Sequence, residues 1–168
     1  AARIGDEGRR EREGLLRETC RIAAEEGNIE MIWIGTIDSE KQEVRPVAWT
    51  GFSKEAAHAV SWASITAARG TLGEAIKTRK PAVRNDIGAE LPSGRLRQEA
   101  LARGCLSTVC MPLEVEGRVA ALIVLFATGR GFFVEDELAL LGEVASNISF
   151  ALESIARQER IERLSRIR

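Results

Sequence analysis

Cysteine, histidine and charge of one sign are all scarce in this 168-residue chain, and each shortage removes a class of function. The three cysteines (Cys20, Cys105, Cys110) are odd in number and form no CxxC pair, which suits a reducing cytoplasm better than a disulfide framework. Cys105 and Cys110 lie five positions apart in an apolar strand region, so side chains on opposite faces or well apart, and no disulfide, are expected. One histidine, His58, is too little for a zinc site, and no bound metal is expected. Lys and Arg number 24 against 25 Asp and Glu, so the basic excess of a nucleic-acid binder is missing. The longest apolar run, Val119 to Ala127, is about half of what a bilayer-spanning helix needs, so no segment is expected to cross a membrane. Internal repeats, low-complexity tracts, a GxxxxGK[ST] loop, a GGDEF run and kinase signatures are also absent. The chain starts without Met or a secretory core and stops inside a charged helical pattern, so a fragment of a longer protein is expected.

What is present suffices for one domain. Hydrophobic residues make up 45% and charged residues 29%, enough to build a core and too apolar for disorder. Leu15, Leu16, Thr19, Ile22 and Ala23 recur at helical spacing, which predicts a helix over residues 6 to 26 closed by Gly27. Met31 to Asp38 and Glu43 to Thr50 read as a strand pair. Ser53 can cap a helix running to about Trp62. Thr71 and Glu74 have capping-box spacing, and that helix must end before Pro81. Ala82 to Ile87 reads as a short strand, and Arg95 to Arg103 as a helix ended by Gly104. Leu106 to Glu114 and Arg118 to Thr128 are strands joined by a tight turn at Glu116-Gly117. From Val134 onward the pattern is helical. Short turns make the hairpins antiparallel, so the class is α+β, a sheet with helices on its faces.

Several segments, in order, resemble a GAF domain, a sensor module of bacterial signalling proteins. They are Met31-Ile32-Trp33-Ile34-Gly35 through Asp38, then Arg45-Pro46-Val47-Ala48-Trp49-Thr50-Gly51 and Arg69-Gly70-Thr71-Leu72-Gly73-Glu74-Ala75-Ile76. Pro81 through Ile87, Ala100 through Gly104, Ser107, Met111-Pro112-Leu113 and the Phe132/Phe133-led acidic helix complete them. The resemblance covers about residues 14 to 156, with 1–13 as an extension of the first helix and 157–168 as the start of a linking helix. It implies a PAS-related central antiparallel sheet of five to six strands. Terminal helices would lie on one face and pocket helices and loops, residues 52 to 105, on the other. It also implies a homodimer through the terminal helices. The output domain, absent from this fragment, would be of the cyclic-di-GMP or histidine-kinase kind.

Within that segment Trp49, Trp62, Asn85, Asp86 and Ser107 could bind a small molecule, the indoles as flat walls and the polar groups as orienting contacts. The plain alternative is that the tryptophans are core or rim and Asp86 caps a turn. Related sensors hold haem through a histidine near His58, although Ala56-Ala57-His58-Ala59 reads equally as an exposed helical turn. Cys105 precedes Leu106 and Cys110 precedes Met111, so the cysteine–histidine pair that carries a bilin is missing. Phe132, Asp136 and Glu137 match the end of the cyclic-nucleotide GAF signature, but its Asn-Lys pair is absent and the helix dipole accounts for the acids. Free-methionine sulfoxide reductases share the architecture and need positioned thiolates, yet Leu72 precedes Gly73 where their Gly-x-Gly-x-Cys-Gly run would lie. No enzyme activity is expected, and no cofactor is identified.

The last helix is two-faced. Leu138, Leu141, Ala145, Ile148, Leu152 and Ile155 form a core-facing stripe that fails at Glu159 and Glu162. Phe150, Ile161 and Leu164 fall elsewhere and suggest a partner helix, while Glu–Arg pairs at i,i+4 keep the tail helical. The sequence thus reads as a cytoplasmic small-molecule-sensing GAF domain relaying its state through terminal helices. A ligand-free dimerisation spacer is the runner-up and a sulfoxide reductase the third reading.

Overall fold

The computed structural model describes residues 4–25, 29–66, 70–91 and 94–167. The first helix, α1, runs Ile4–Glu25. Strands β1 (Met31–Asp38) and β2 (Glu43–Thr50) form an antiparallel pair with the expected bounds. Four short helices and a short strand follow before the second hairpin: α2 (Lys54–Ala59), α3 (Trp62–Thr66), α4 (Thr71–Thr78), β3 (Ala82–Arg84) and α5 (Ile87–Glu90). Helix α6 (Arg95–Ala102) then leads to β4 (Ser107–Val115), β5 (Arg118–Ala127) and the long α7 (Glu135–Ile167). The five strands make one antiparallel sheet in the order β2-β1-β5-β4-β3. At the β4–β5 turn Glu116 (φ 52°) and Gly117 (φ 80°) both take positive φ, the pattern of a two-residue hairpin that matches strand twist.

Alternation along the strands divides the core in two. Met31, Trp33, Leu122, Val124 and Phe126 face the short helices, whereas Ile32, Ile34, Ile123 and Leu125 face α1 and α7. Trp33 is fully buried and its Nε1–H donates to the Ala57 carbonyl at 2.9 Å. Its ring lies over Gly35, two residues on, where any Cβ would strike the indole. On the opposite face Leu16, Cys20, Ala145, Ile148 and Leu152 fill the space between sheet and terminal helices.

Several expectations need correction. The helix from Ser53 breaks after Ala59: Ser53 does cap α2, accepting from the Ala56 N–H at 3.1 Å, but Val60 is extended and α3 begins at Trp62. The capping box does not form, because Gly70 is the N-cap and Thr71 is the first, buried helical residue. Glu74 instead pairs with Arg84 at 2.9 Å. The short strand ends at Arg84 and the chain turns into α5 at Ile87. The apolar stripe on α7 fails at Glu159 as expected, but the buried face continues: Glu159 is 9% exposed, packs against Gly8 of α1 and pairs with Arg12. By length and composition α7 is apolar enough to cross a membrane, a property that scanning for unbroken apolar runs overlooks. Here one side of it, through Ala145, Ile148 and Leu152, is occupied by the sheet. The Gly27 helix stop lies outside the described residues.

Candidate functional site

On the short-helix face the packing leaves a cavity of about 250 Å3. Its floor is Val124 and Phe126 of β5, and its walls are helix ends: Ala59 and Val60 after α2, Gly70 to Leu72 opening α4, Leu91 closing α5, and Gly94 to Arg97 opening α6. Short helices meeting end to end cannot present a continuous apolar stripe to the sheet, so the space between them stays partly empty. At the rim, Glu99 of α6 accepts from the Ser53 N–H (2.9 Å) and Oγ–H (2.7 Å), tying α6 to the start of α2. These two bonds, first the hydroxyl's, hold the Glu99 carboxyl below its ordinary pKa.

Two arginines reach the cavity and differ in their surroundings. Arg95 is half-exposed and lies 3.6 Å from Glu55 and 3.7 Å from Glu99. Arg97 donates through Nη2 to the Gly88 carbonyl at 3.1 Å, and its buried Nε–H has no acceptor.

None of the residues singled out from sequence as ligand contacts lines this cavity. Trp49 and Trp62 are partly buried against the core on this face. Trp49 also meets His58 edge-on, ring centres 5.2 Å apart. His58 is exposed on α2, its Nδ1 2.9 Å from the Lys54 carbonyl. Asn85 and Ser107 hold backbone. The Asn85 side chain accepts from the Phe133 N–H (3.1 Å) and donates to the Phe133 carbonyl (3.2 Å), gripping the chain two residues before α7. Ser107 Oγ–H donates to the Gly129 carbonyl, and the same oxygen accepts from Phe132 N–H at 3.2 Å. Asp86 lies 3.6 Å from Arg130 and makes no capping bond to α5.

The lining residue that sequence reasoning missed is Arg97. The signal was available: with Ala100 and Leu101 at i+3 and i+4, it sits on the apolar side of its own helix. The three thiols are free and buried. Of the two arrangements expected for Cys105 and Cys110, opposite faces does not occur: both pack in the core on the cavity face, because Cys105 precedes β4 and strand alternation does not reach it. Burial, then the nearby Glu30, pushes Cys105 up to about 11. Cys110, fully buried, is raised further, and burial raises Cys20 as well. No group of three or more metal-binding side chains occurs among the described residues.

The family model for the GAF domain matches residues 9–153. The chain belongs to the GAF domain family. No curated protein sequence matches it significantly. Solved structures similar to this GAF domain include that from a phosphoenolpyruvate-protein phosphotransferase of Coxiella burnetii, with TM-score 0.70, 14% identity and coverage of 89% of this chain and 86% of that one. A GAF domain/HD domain protein from Geobacter sulfurreducens aligns at TM-score 0.66 and 15% identity over 86% and 94% of the two chains. The free methionine-R-sulfoxide reductase of Neisseria meningitidis, solved with its substrate, aligns at TM-score 0.68 and 20% identity over 92% and 84%. At such identities the likeness is one of fold, and that fold carries both signalling and enzymatic relatives.

Proposed function

We propose that this GAF domain is a regulatory sensor. A small molecule occupies the 250 Å3 cavity, and its presence is relayed through α7 to an output domain joined to the chain, in the cytoplasm. The cavity carries this reading, since small-molecule sites are concave and largely apolar. Asn85 supplies a route outward. It sits between β3 and α5, whose last turn leads to the cavity residue Leu91, and its amide holds Phe133 at the root of α7. A ligand that displaces α5 therefore pulls on the start of a helix about 50 Å long. Residues 14–156 form the sensing body, and the flanking stretches extend the terminal helices.

The competing enzymatic reading needs a reactive thiolate. Every cysteine here is buried with its pKa pushed up, opposite to what sulfur chemistry requires, which favours regulation over sulfoxide reduction. Xenon, which enters apolar cavities, separates the sensor from a ligand-free spacer. Under xenon pressure the amide resonances of Ala56, Val60 and Leu72 are expected to shift together with those of Phe133 and the first turn of α7. In Asn85→Ala the cavity shifts remain and the α7 shifts vanish. Cavity shifts without any at α7 in the parent remove the relay, and no shifts at all favour the spacer.

Assembly as a parallel homodimer through the terminal helices is part of the same proposal. Phe150, Ile161 and Leu164 are 67%, 56% and 60% exposed, and Leu140 joins them. Leu140, Asn147, Phe150, Ser154, Ile161 and Leu164 share a heptad register, interrupted at the charged seam positions Glu143 and Arg157, with Asn147 as a register-setting polar position. Light scattering at tens of micromolar is expected to find a dimer. The variant with Phe150, Ile161 and Leu164 all changed to polar residues should be monomeric. A monomeric parent or a dimeric variant removes the interface.

A further inference from the structure

The cavity is not neutral, and its charge points to a ligand class. Of the half-buried arginines, Arg9, Arg12 and Arg84 each pair with a glutamate. Arg97 enters no such pair among the described residues. Its guanidinium rests on one backbone carbonyl and keeps a buried Nε–H without an acceptor. A partly desolvated charge without a counter-ion is costly, and a ligand that supplies the counter-ion recovers that cost on binding. Arg95 does not compete for the role, because Glu55 and Glu99 flank it at the rim. Among the described residues no aspartate or glutamate lines the cavity. The two helices that open onto it, α4 and α6, start at Gly70 and Gly94, whose lack of a side chain leaves the positive first turns uncapped.

The rest of the lining is largely apolar and includes Val60, Leu72, Leu91, Leu96 and Phe126. A dry cavity of about 150 Å3 holds benzene, so the present volume suits a body of about ten heavy atoms. One unneutralised guanidinium matches one carboxylate, whereas a phosphate would bring about two negative charges against the single unpaired cation found there among the described residues.

We propose that the cavity takes a small amphipathic monocarboxylate, its apolar body against Val60, Leu96 and Phe126 and its acid group paired with Arg97. This rests on the sensor reading above, and the test separates the two. Phenylacetate and phenylacetamide have the same size and shape and differ in charge, so calorimetric titration of each against the whole chain reads the charge contribution directly. Phenylacetate is expected to bind at least tenfold more tightly than the amide. Arg97→Gln should abolish that preference while leaving amide affinity within twofold. Arg97→Lys, which keeps the charge, should retain part of it, and Arg95→Gln should preserve it. Equal binding of acid and amide, or a preference that survives Arg97→Gln, overturns the carboxylate assignment and leaves the cavity as a ligand site. Failure of both compounds to bind overturns the sensor reading together with this one.

Discussion

The two faces of the sheet are made from alternate residues of the same strands, yet they are covered in opposite ways. Two helices of 22 and 33 residues lie along one face, and their continuous stripes of Leu16, Ala145, Ile148 and Leu152 fill it. Five helices of four to eight residues cover the other, and the cavity opens where their ends meet. Helix length decides the difference: a long stripe interdigitates turn after turn, whereas a helix end brings unsatisfied backbone groups and irregular shape. Under the proposed sensor reading the loosely filled face accepts the ligand and the tightly filled one carries the displacement, so a single sheet would separate sensing from transmission.

The sharpest way to break that contrast is to excavate the ligand face. Trp33→Ala removes a fully buried indole and leaves the Ala57 carbonyl without its donor. A loss of about 3–5 kcal/mol is expected in chemical denaturation. A loss under about 1 kcal/mol would mean that the short helices collapse freely onto the sheet and that the cavity is not held open by its frame.

Two glycine substitutions compare the faces directly. A Cβ on Gly73, in α4, strikes the Ile65 backbone carbonyl, which cannot move without α3. Gly73→Ala is expected to cost about 1–3 kcal/mol, the usual range for overpacking. A Cβ on Gly8, in α1, meets the end of the Glu159 side chain, which can swing away. Gly8→Ala also gains helix propensity, so its net change should stay within about 1 kcal/mol. Equal costs by thermal denaturation would contradict the contrast between rigid and yielding neighbours.

The thiols on the cavity face set a pH limit. Cys105 is raised from an ordinary value of 9.0 to about 11, and Cys110 is raised as well. A thiol whose folded pKa lies above its unfolded one stabilises the fold fully below the unfolded value and loses that contribution as pH climbs through the folded one. Stability should therefore be unaffected by these groups at pH 7 and decline between about pH 9 and 11. The chain has no tyrosine, so thiolate absorbance can be followed without phenolate overlap. Cys105→Ala should flatten part of that decline. A thiolate signal near pH 8 in the folded protein would reopen the enzymatic reading.

How much of this the sequence discloses depends on whether a feature is local. Met31–Asp38 and Glu43–Thr50 were readable to the residue because β-branched density and a polar turn are short-range signals. Glu116-Gly117 was equally plain as a hairpin turn. The break between α2 and α3 carries no glycine or proline and follows from packing, so a capping serine alone overextends the helix. Asn85 and Ser107 were expected from sequence to orient a ligand, whereas their side chains hold backbone. Their structural partners, Phe133 and Gly129, lie 48 and 22 residues away, a pairing no local pattern encodes. The cavity is the least legible feature, since the ends of α2, α4, α5 and α6 must meet before it exists.

The smallest effect tests the transmitting face. Glu159 interrupts the apolar stripe of α7, and its place is made by Gly8 of α1, where a Cβ would strike the carboxylate. Its partner Arg12 remains about one third exposed, so water screens the pair and its net contribution is small. A double-mutant cycle over Arg12→Ala and Glu159→Ala is expected to give a coupling of about 0.5–1 kcal/mol, with both single variants folded. Salt sharpens the comparison: raising ionic strength should shrink this coupling while leaving the cost of Trp33→Ala unchanged, because one effect is electrostatic and the other is burial. A coupling of several kcal/mol that resists salt would place Glu159 in a desolvated lock. The α1–α7 pair would then be held by charge as well as by its apolar stripe, and the transmitting helix would be stiffer at its free end than its exposed Ile161 and Leu164 imply.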